Sequence, residues 1–337
     1  MNKTIIIAEA GVNHNGDISL AKKLIKIAAD SGADYVKFQT FKAEKLATKS
    51  ANQAKYQQAN IGYKQTQLEM LKILELQDTD HKVLIEECKI NNIGFLSSAF
   101  DVDGINFLKS LNIDYLKIPS GEITNLPYLK VAAKFGKPII LSTGMACIEE
   151  IDSALEILLL NGCTRDNIYI LHCITEYPAP KELVNLNFIN TLKNKFGVNV
   201  GYSDHTLGIE IAIAAVAIGA KIIEKHFTID KRMSGPDHKA SLEAKELKEM
   251  VNCIRSVENA LGNGNKEIST SEKNNAKVVR KSLIAAKNIK KNELFTYENL
   301  DTKRPGTGIS PMNIDKYIGC YSNKNYEKDE LIEDIYE

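Results

Sequence analysis

The sequence predicts an α/β protein built on a closed (β/α)8 TIM barrel, with a small second domain behind it. Three observations carry this. Short apolar runs alternate with amphipathic stretches from the N-terminus onward, the pattern of repeated strand–helix units and a parallel sheet. Eight such units fit into about 250 residues, the size of one closed barrel. The chemically capable side chains collect where the strands end, which is where barrel enzymes build their sites.

The first strand is TIIIAEAG (4–11), and SLAKKLIKIAADSGA follows it with apolar residues at helical spacing and a glycine exit. YVKFQTF (35–41) is the second strand. About forty residues then intervene before the next regular helix, including KSANQAKYQQANIGYKQTQLEML. A connection that long is uncommon unless functional, so a lid or substrate loop on the catalytic face is expected. GFLSSAF (94–100), YLKIPS (115–120) and PIILSTG (138–144) are strands three to five, with the helix DSALEILLLNGC after the fifth. NIYILHC (167–173), VNVGYSD (198–204) and KIIEKHFT (221–228) complete the eight, with GIEIAIAAVAIGA between the last two. The helix LEAKELKEMVNCIRSVENALG (242–262) closes the barrel, which is assigned to 1–262. GNGNKEISTSEKNN is polar and rich in turn formers, so 263–276 reads as a linker. The remaining 277–337 is too small for more than a marginal core and is expected to dock on its own barrel or on a neighbouring chain.

Charge narrows the function. Lysine plus arginine (43) equals aspartate plus glutamate (43), which gives no electrostatic case for a nucleic-acid or membrane partner. No apolar run approaches a membrane span, and the N-terminal run is too short for a signal peptide. The six cysteines are scattered without a CxxC pair, as expected of reduced thiols in a cytoplasm.

Of six histidines, His14, His172, His205, His226 and His238 fall in or just beyond strand ends, and only His81 falls within a helix. Strands seven and eight are barrel neighbours, so His205 and His226 are expected side by side. Two imidazoles on one rim suit a borderline divalent metal such as Mn²⁺, Zn²⁺ or Fe²⁺, or else a hydrogen-bonded pair that orients substrate. With only two ligands in view, water and substrate would complete an open shell. On this reading IIEKHFT turns polar because it leaves the core and enters a cavity.

Lys37 and Lys117 each follow apolar residues inside a strand, and a buried lysine is costly unless paired. They imply a bound anion or carboxylate partners such as Glu9 and Glu122. Gln39 shares a barrel face with Lys37 by the period of two. Ser97 and Ser98, Ser120-Gly121-Glu122, and Ser142-Thr143-Gly144 end strands three to five, and hydroxyls beside glycine amides suit phosphate. Such short motifs also occur in ordinary turns, so their weight lies in sharing one rim. Lysines for an anion, a metal for a carbonyl and carboxylates for proton transfer fit an anionic reagent adding to a polarised carbonyl.

With these residues in place, the chain resembles the sialic acid synthase family, which condenses phosphoenolpyruvate with an N-acyl mannosamine-type sugar. The matching segments run nearly end to end: AEAGVNHNG (8–16), VKFQTFKA (36–43), KIPSGEITNLPYL (117–129), ILSTGM (140–145), LHCITEYPAP (171–180), GYSDHTLG (201–208), IEKHFT (223–228), SGPDHKAS (234–241) and KRPGTGISPM (303–312). The resemblance implies a C-terminal antifreeze-like domain, called SAF, after the barrel. It implies Mn²⁺ on His205 and His226, with Mg²⁺ or Co²⁺ as alternatives. Lys37, Lys117, Ser120 and Ser142 would hold phosphoenolpyruvate, with Gln39, Ser98 and Tyr177 nearby. Glu9, Tyr177 and Asp237 would grip the open-chain sugar. Glu9, Glu122 and Lys117 would do the proton and charge work, Glu122 as base for the water attacking C2. Arg304 would reach the sugar's N-acetyl group from the partner subunit of a domain-swapped homodimer.

Three positions, Ser98, Ala99 and Thr175, depart from the family pattern. SSAF (97–100) stands where STPF is usual, keeping a hydroxyl at Ser98 but losing a proline's rigidity. Thr175 stands where some members carry asparagine. AEAGVNHNG, EITNLPYL and GPDHKAS look most like the branch making N,N'-diacetyllegionaminic acid from 2,4-diacetamido-2,4,6-trideoxymannose. The N-acetylneuraminate branch, which uses N-acetylmannosamine, shares most of them and stays open. The long loop around Tyr56, Gln57 and Asn60 is expected to read the difference. A metal-dependent sugar-phosphate hydrolase or isomerase is the rival enzyme class, and it would want more ligands on strand one. A non-catalytic carbohydrate- or ice-binding protein would leave the polar-rimmed barrel unexplained.

Overall fold

The computed structural model describes residues 3–336. Eight parallel strands close in sequence order: β1 (Ile5–Gly11), β2 (Tyr35–Thr40), β3 (Gly94–Ala99), β4 (Leu116–Ile118), β5 (Ile139–Ser142), β6 (Ile168–Cys173), β7 (Asn199–Asp204) and β8 (Ile222–His226). The flanking helices are α1 (Ile18–Asp30), then α2 (Ala43–Leu46), α3 (Lys55–Ile61), α4 (Gln67–Leu74) and α5 (Asp78–Ile90). After these come α6 (Val102–Ser110), α7 (Leu126–Ala132), α8 (Ile148–Leu160), α9 (Phe188–Phe196), α10 (Glu210–Ala217) and α11 (Ala244–Leu261). Among the described residues, no helix is long and apolar enough to cross a membrane.

Alternation along each strand sorts the barrel into layers. At the N-terminal end Ile7, Leu96, Ile140, Leu171 and Ile222 fill the interior as an apolar plug. The next inward-facing layer, towards the strand C-termini, consists of Glu9, Lys37, Ser98, Lys117, Ser142, Cys173 and Glu224. The outward faces carry the main core against the helices, with Ile6, Val36, Phe38, Ile139, Ile170 and Ile223 buried. Sequence periodicity therefore makes the cavity: one step past the plug, each of these strands exchanges an apolar residue for a polar one.

The long β2–α5 connection is not a bare loop. It contains α2, α3 and α4, and Ala43, Met70, Leu71 and Leu74 form a small core with Val12 and Phe41. Thr66 caps α4, accepting from the Glu69 amide at 3.2 Å while Glu69 accepts from the Thr66 amide at 2.8 Å.

The chain divides into two compact units, at Asn263 and Gly264. The second holds α12 (Thr270–Val279), the antiparallel pair β9 (Ser282–Ala285) and β10 (Leu300–Lys303), and α13 (Ile314–Tyr317). Leu283, Phe295, Leu300 and Tyr326 are buried in its own core. The stretch read as a 263–276 linker is in part helical. Ser269 and Glu272 form a reciprocal cap at its start (3.2 and 2.9 Å), so local capping builds α12 although its side chains bury almost nothing.

Candidate active site

A cavity of about 500 Å³ opens at the C-terminal ends of the strands. Glu9, Lys37, Gln39, Ser98, Lys117, Ser120, Glu122, Ser142, Tyr177, His205, His226 and Asp237 all line it. Arg304 belongs to the second unit, where it is exposed and its Nε donates to Val279 O at 2.9 Å.

The floor of the cavity is a charge cluster. Lys37 Nζ lies 2.7 Å from Glu9 Oε2 and 3.5 Å from Glu224 Oε2. Lys117 Nζ lies 3.5 Å from the other oxygen of Glu224, so one carboxylate is shared by two lysines. Lys37 also donates to Ser98 Oγ at 2.9 Å, and Ser203 Oγ donates to Glu224 at 2.9 Å. Burial raises both carboxyls, but the outcomes differ. At Glu224 the two lysines outweigh burial and hold it at about 2. At Glu9 burial prevails over Lys37, with Glu224 adding repulsion, and the pKa rises to about 7. The cluster therefore offers one fixed anion, two cations and one carboxyl able to exchange a proton near neutrality.

Glu224 is not among the residues expected of the site. Its signal is nonetheless present: in Ile222-Ile223-Glu224-Lys225-His226 a period of two puts Glu224 on the face of His226. The same rule puts Lys225 on the other face, away from the cavity, where it bonds Asp204. Of the carboxylates expected beside the two lysines, Glu9 pairs with Lys37, whereas Lys117 pairs with Glu224 and Glu122 with neither. Glu122 stands further up the wall and accepts from Asn125 Nδ2 at 2.6 Å, and burial raises its pKa.

His205 and His226 face each other above the cluster, ring centroids 5.5 Å apart. His205 Nδ1 donates to Ile174 O at 2.6 Å, which fixes the tautomer and leaves Nε2 free to ligate. His226 Nδ1 is buried without a protein partner, and burial followed by His205 lowers this ring's pKa well below the usual value. His226 is thus held ready as a neutral donor, whereas at His205 burial is outweighed by Cys173 and the Ile174 carbonyl, and the pKa is raised. The backbone makes room for them: Gly11 sits at φ +53°, and a Cβ there would lie 3.2 Å from both His226 and Glu9. Among the described residues, no three His, Cys, Asp or Glu side chains form a complete ligand set, so the protein itself offers two imidazoles. The chemistry of this pair fits a divalent ion with open positions.

The other three rim histidines do not reach the cavity, because a strand end has two faces. His172 bonds Val184 O at 2.5 Å on the helix side. His238 bonds Thr228 and Asn15, and His14 accepts from the Gly16 amide, both within the loops that follow β1 and β8.

The upper wall is aromatic. Tyr177 lies 4.0 Å from the His205 ring and stacks on Tyr56 of α3 at 4.9 Å and 21°. Tyr56 and Gln57 line the cavity, whereas Asn60 spends its amide on Pro236 O at 2.7 Å and so pins the lid. Asp237 is buried at this level, and burial, opposed by His205, raises its pKa to about 6. Ser120 Oγ accepts from the Gly144 amide at 3.0 Å, and Ser142 Oγ is buried without a partner. Cys173, also missing from the expected set, lies 3.7 Å from His205 Nδ1. Leu46, Met70, Leu71, Leu74 and Phe100 add an apolar part to the lining.

Comparison with known proteins gives consistent matches. The NeuB family model matches residues 24–266, and the SAF domain model matches 280–334. A protein of Campylobacter jejuni described as N,N'-diacetyllegionaminic acid synthase is 57% identical, covering 98% of this chain and 99% of the relative. A protein of the same description from Legionella pneumophila is 46% identical, covering 95% and 90%. The crystal structure of N-acetylneuraminic acid synthetase from Leptospira borgpetersenii, in complex with citrate, superposes with a TM-score of 0.73 at 37% identity, over 81% of this chain and 90% of that one.

Proposed function

Because the chain belongs to the NeuB family, with a SAF domain following its barrel, we propose that it condenses phosphoenolpyruvate with 2,4-diacetamido-2,4,6-trideoxymannose to give N,N'-diacetyllegionaminic acid and phosphate. The assignment to phosphoenolpyruvate-dependent, carbon–carbon bond-forming transferases comes with the family. The choice of sugar is supported by full-length identities of 57% and 46% to legionaminate synthases, against 37% to the neuraminic acid synthetase. The observation that carries the chemistry is the stacking of two sites in one cavity: an anion cradle at the floor and an imidazole pair above it.

Lys37 and Lys117 meet the phosphate and carboxylate of phosphoenolpyruvate, helped by the hydroxyls of Ser98, Ser120 and Ser142. Glu224 works against burial at both lysines, prevailing with Glu9 at Lys37 but not at Lys117, whose pKa burial lowers, and it holds the two cradle groups in place before the anion arrives. A divalent ion on His205 and His226, Mn²⁺ by preference, would polarise the sugar aldehyde. Glu9 and Asp237 hold the open-chain sugar, and Tyr177 covers it. C3 of phosphoenolpyruvate forms the new bond to the aldehyde carbon. Glu9, protonated up to about pH 7, supplies a proton to the oxygen left negative by that attack. Glu122, its pKa raised by burial, takes a proton from the water that adds at C2. The resulting tetrahedral carbon expels phosphate by C–O cleavage, leaving a nine-carbon 2-keto acid. Holding both reactants in one cavity supplies much of the rate. We extend the proposal to a homodimer in which Arg304 of one subunit reaches the sugar's N-acetyl group in the other.

Phosphate release with phosphoenolpyruvate, Mn²⁺ and one sugar at a time tests this. Release with the diacetamido sugar, slower release with N-acetylmannosamine and none with chelator are expected. A preference for N-acetylmannosamine would move the protein to the neuraminate branch, and release without any sugar would sink the condensation.

A further inference from the structure

We propose that Lys225 and Asp204 form a clamp behind the barrel wall that sets the spacing of His205 and His226. The inference rests on reading those two imidazoles as metal ligands.

The two histidines stand just where the sheet stops holding their strands together. β7 and β8 pair through Tyr202↔Ile223, Ser203↔Glu224 and Asp204↔Lys225, and the register ends there. His226 remains in register with Glu9 of β1, on its other side. The His205 carbonyl turns to the Ala179 amide instead. No ladder bond therefore joins His205 to His226, although their rings must share one ion.

Lys225 takes over where the ladder ends. Its Nζ donates to Asp204 Oδ2 at 2.7 Å and to Thr206 O at 2.5 Å. The other oxygen of Asp204 accepts from the Thr206 amide at 2.9 Å. The residue preceding His226 thus grips the residues on both sides of His205. Both side chains of the pair are fully buried, so no water competes for these bonds. A buried ion pair is a poor device for stability alone, since an apolar pair of similar volume usually serves as well. Its directional bonds can fix a distance that apolar contact leaves loose.

That contrast supplies the test. Removing one partner strands a buried charge and destabilises, so single variants confound position with folding. The double variant D204L/K225M removes both charges, and D204N keeps the volume while weakening the bond. Mn²⁺ binding to the apo proteins is measured by calorimetry, thermal unfolding is followed in parallel, and the visible spectrum of bound Co²⁺ reports ligand geometry. Wild-type protein is expected to bind. The double variant is expected to unfold near the wild-type temperature yet bind Mn²⁺ about 10–100-fold more weakly, the usual effect of losing support behind a ligand, with an altered Co²⁺ spectrum. D204N is expected to fall between. A double variant, or D204N if the double variant does not fold, with wild-type affinity and spectrum would overturn the clamp while leaving the metal site intact. Wild-type protein that binds no metal would overturn the metal reading and the clamp with it.

Discussion

Asp237 carries a calculable conflict between stability and function. Burial at the cavity wall raises its pKa from 3.8 to about 6, with His205 opposing. A carboxyl whose folded pKa lies above its unfolded pKa binds more protons when folded, so folding is favoured at low pH. That advantage is full below about pH 4 and is lost as pH rises to about 6, after which stability is flat. The gap of about two units corresponds to about 3 kcal/mol at about 1.36 kcal/mol per unit. Asp237→Asn removes the charge and keeps the shape, so in chelated, substrate-free protein it should be more stable than wild type by about that amount above about pH 6. For a domain of this size that is a rise in Tm of roughly 5–10 °C. The two proteins should converge near about pH 4. With no tryptophan in the chain, far-UV circular dichroism is the suitable probe. Sugar affinity should fall in the same variant, the usual trade at a binding site. Parallel Tm–pH curves for the two proteins would refute the reasoning.

Three further outcomes are expected. Glu9→Gln should lower kcat/KM about 10²–10⁴-fold and abolish the fall in wild-type activity as pH rises through about 7, where Glu9 loses its proton; a surviving limb would assign it to another group. Tyr56→Ala removes a stacked aromatic partner of Tyr177 at 4.9 Å, so KM for the sugar should rise roughly fivefold, about 1 kcal/mol, with KM for phosphoenolpyruvate unchanged. Arg304→Ala and His226→Ala should each be inactive, and subunits mixed after dissociation should recover roughly a quarter of wild-type activity if Arg304 serves the partner's barrel; no recovery would mean that it does not.

The barrel is legible in the sequence because its strands are bounded apolar runs and its helices carry a 3.6-residue stripe. The lid helices are not: α2 and α3 are too short to show a stripe, and the segment draws its order from Thr66 capping and from Met70 and Leu74 packing on Val12. The site is legible where one residue type betrays it, as with a lysine inside a strand. It is hidden where the decisive information is which face a residue occupies. Reading IIEKHFT as a block of charge treats Glu224 and Lys225 alike and singles out His226 alone. Taking nearness to a strand end for direction counts His172 with the rim. In both cases alternation, applied residue by residue, separates the two faces. The 3.5 Å sharing of Glu224 by Lys37 and Lys117 spans β2, β4 and β8, and no local pattern announces it.

The plug of Ile7, Leu96, Ile140, Leu171 and Ile222 also governs traffic. It makes the cavity a blind alley, with the lysines at the closed end and the histidines nearer the opening. On the proposed reading phosphoenolpyruvate occupies the lysines, so it must arrive before the sugar closes the way in. Binding order should show this: an unreactive phosphoenolpyruvate analogue should bind the empty enzyme, and a sugar bound first should block it.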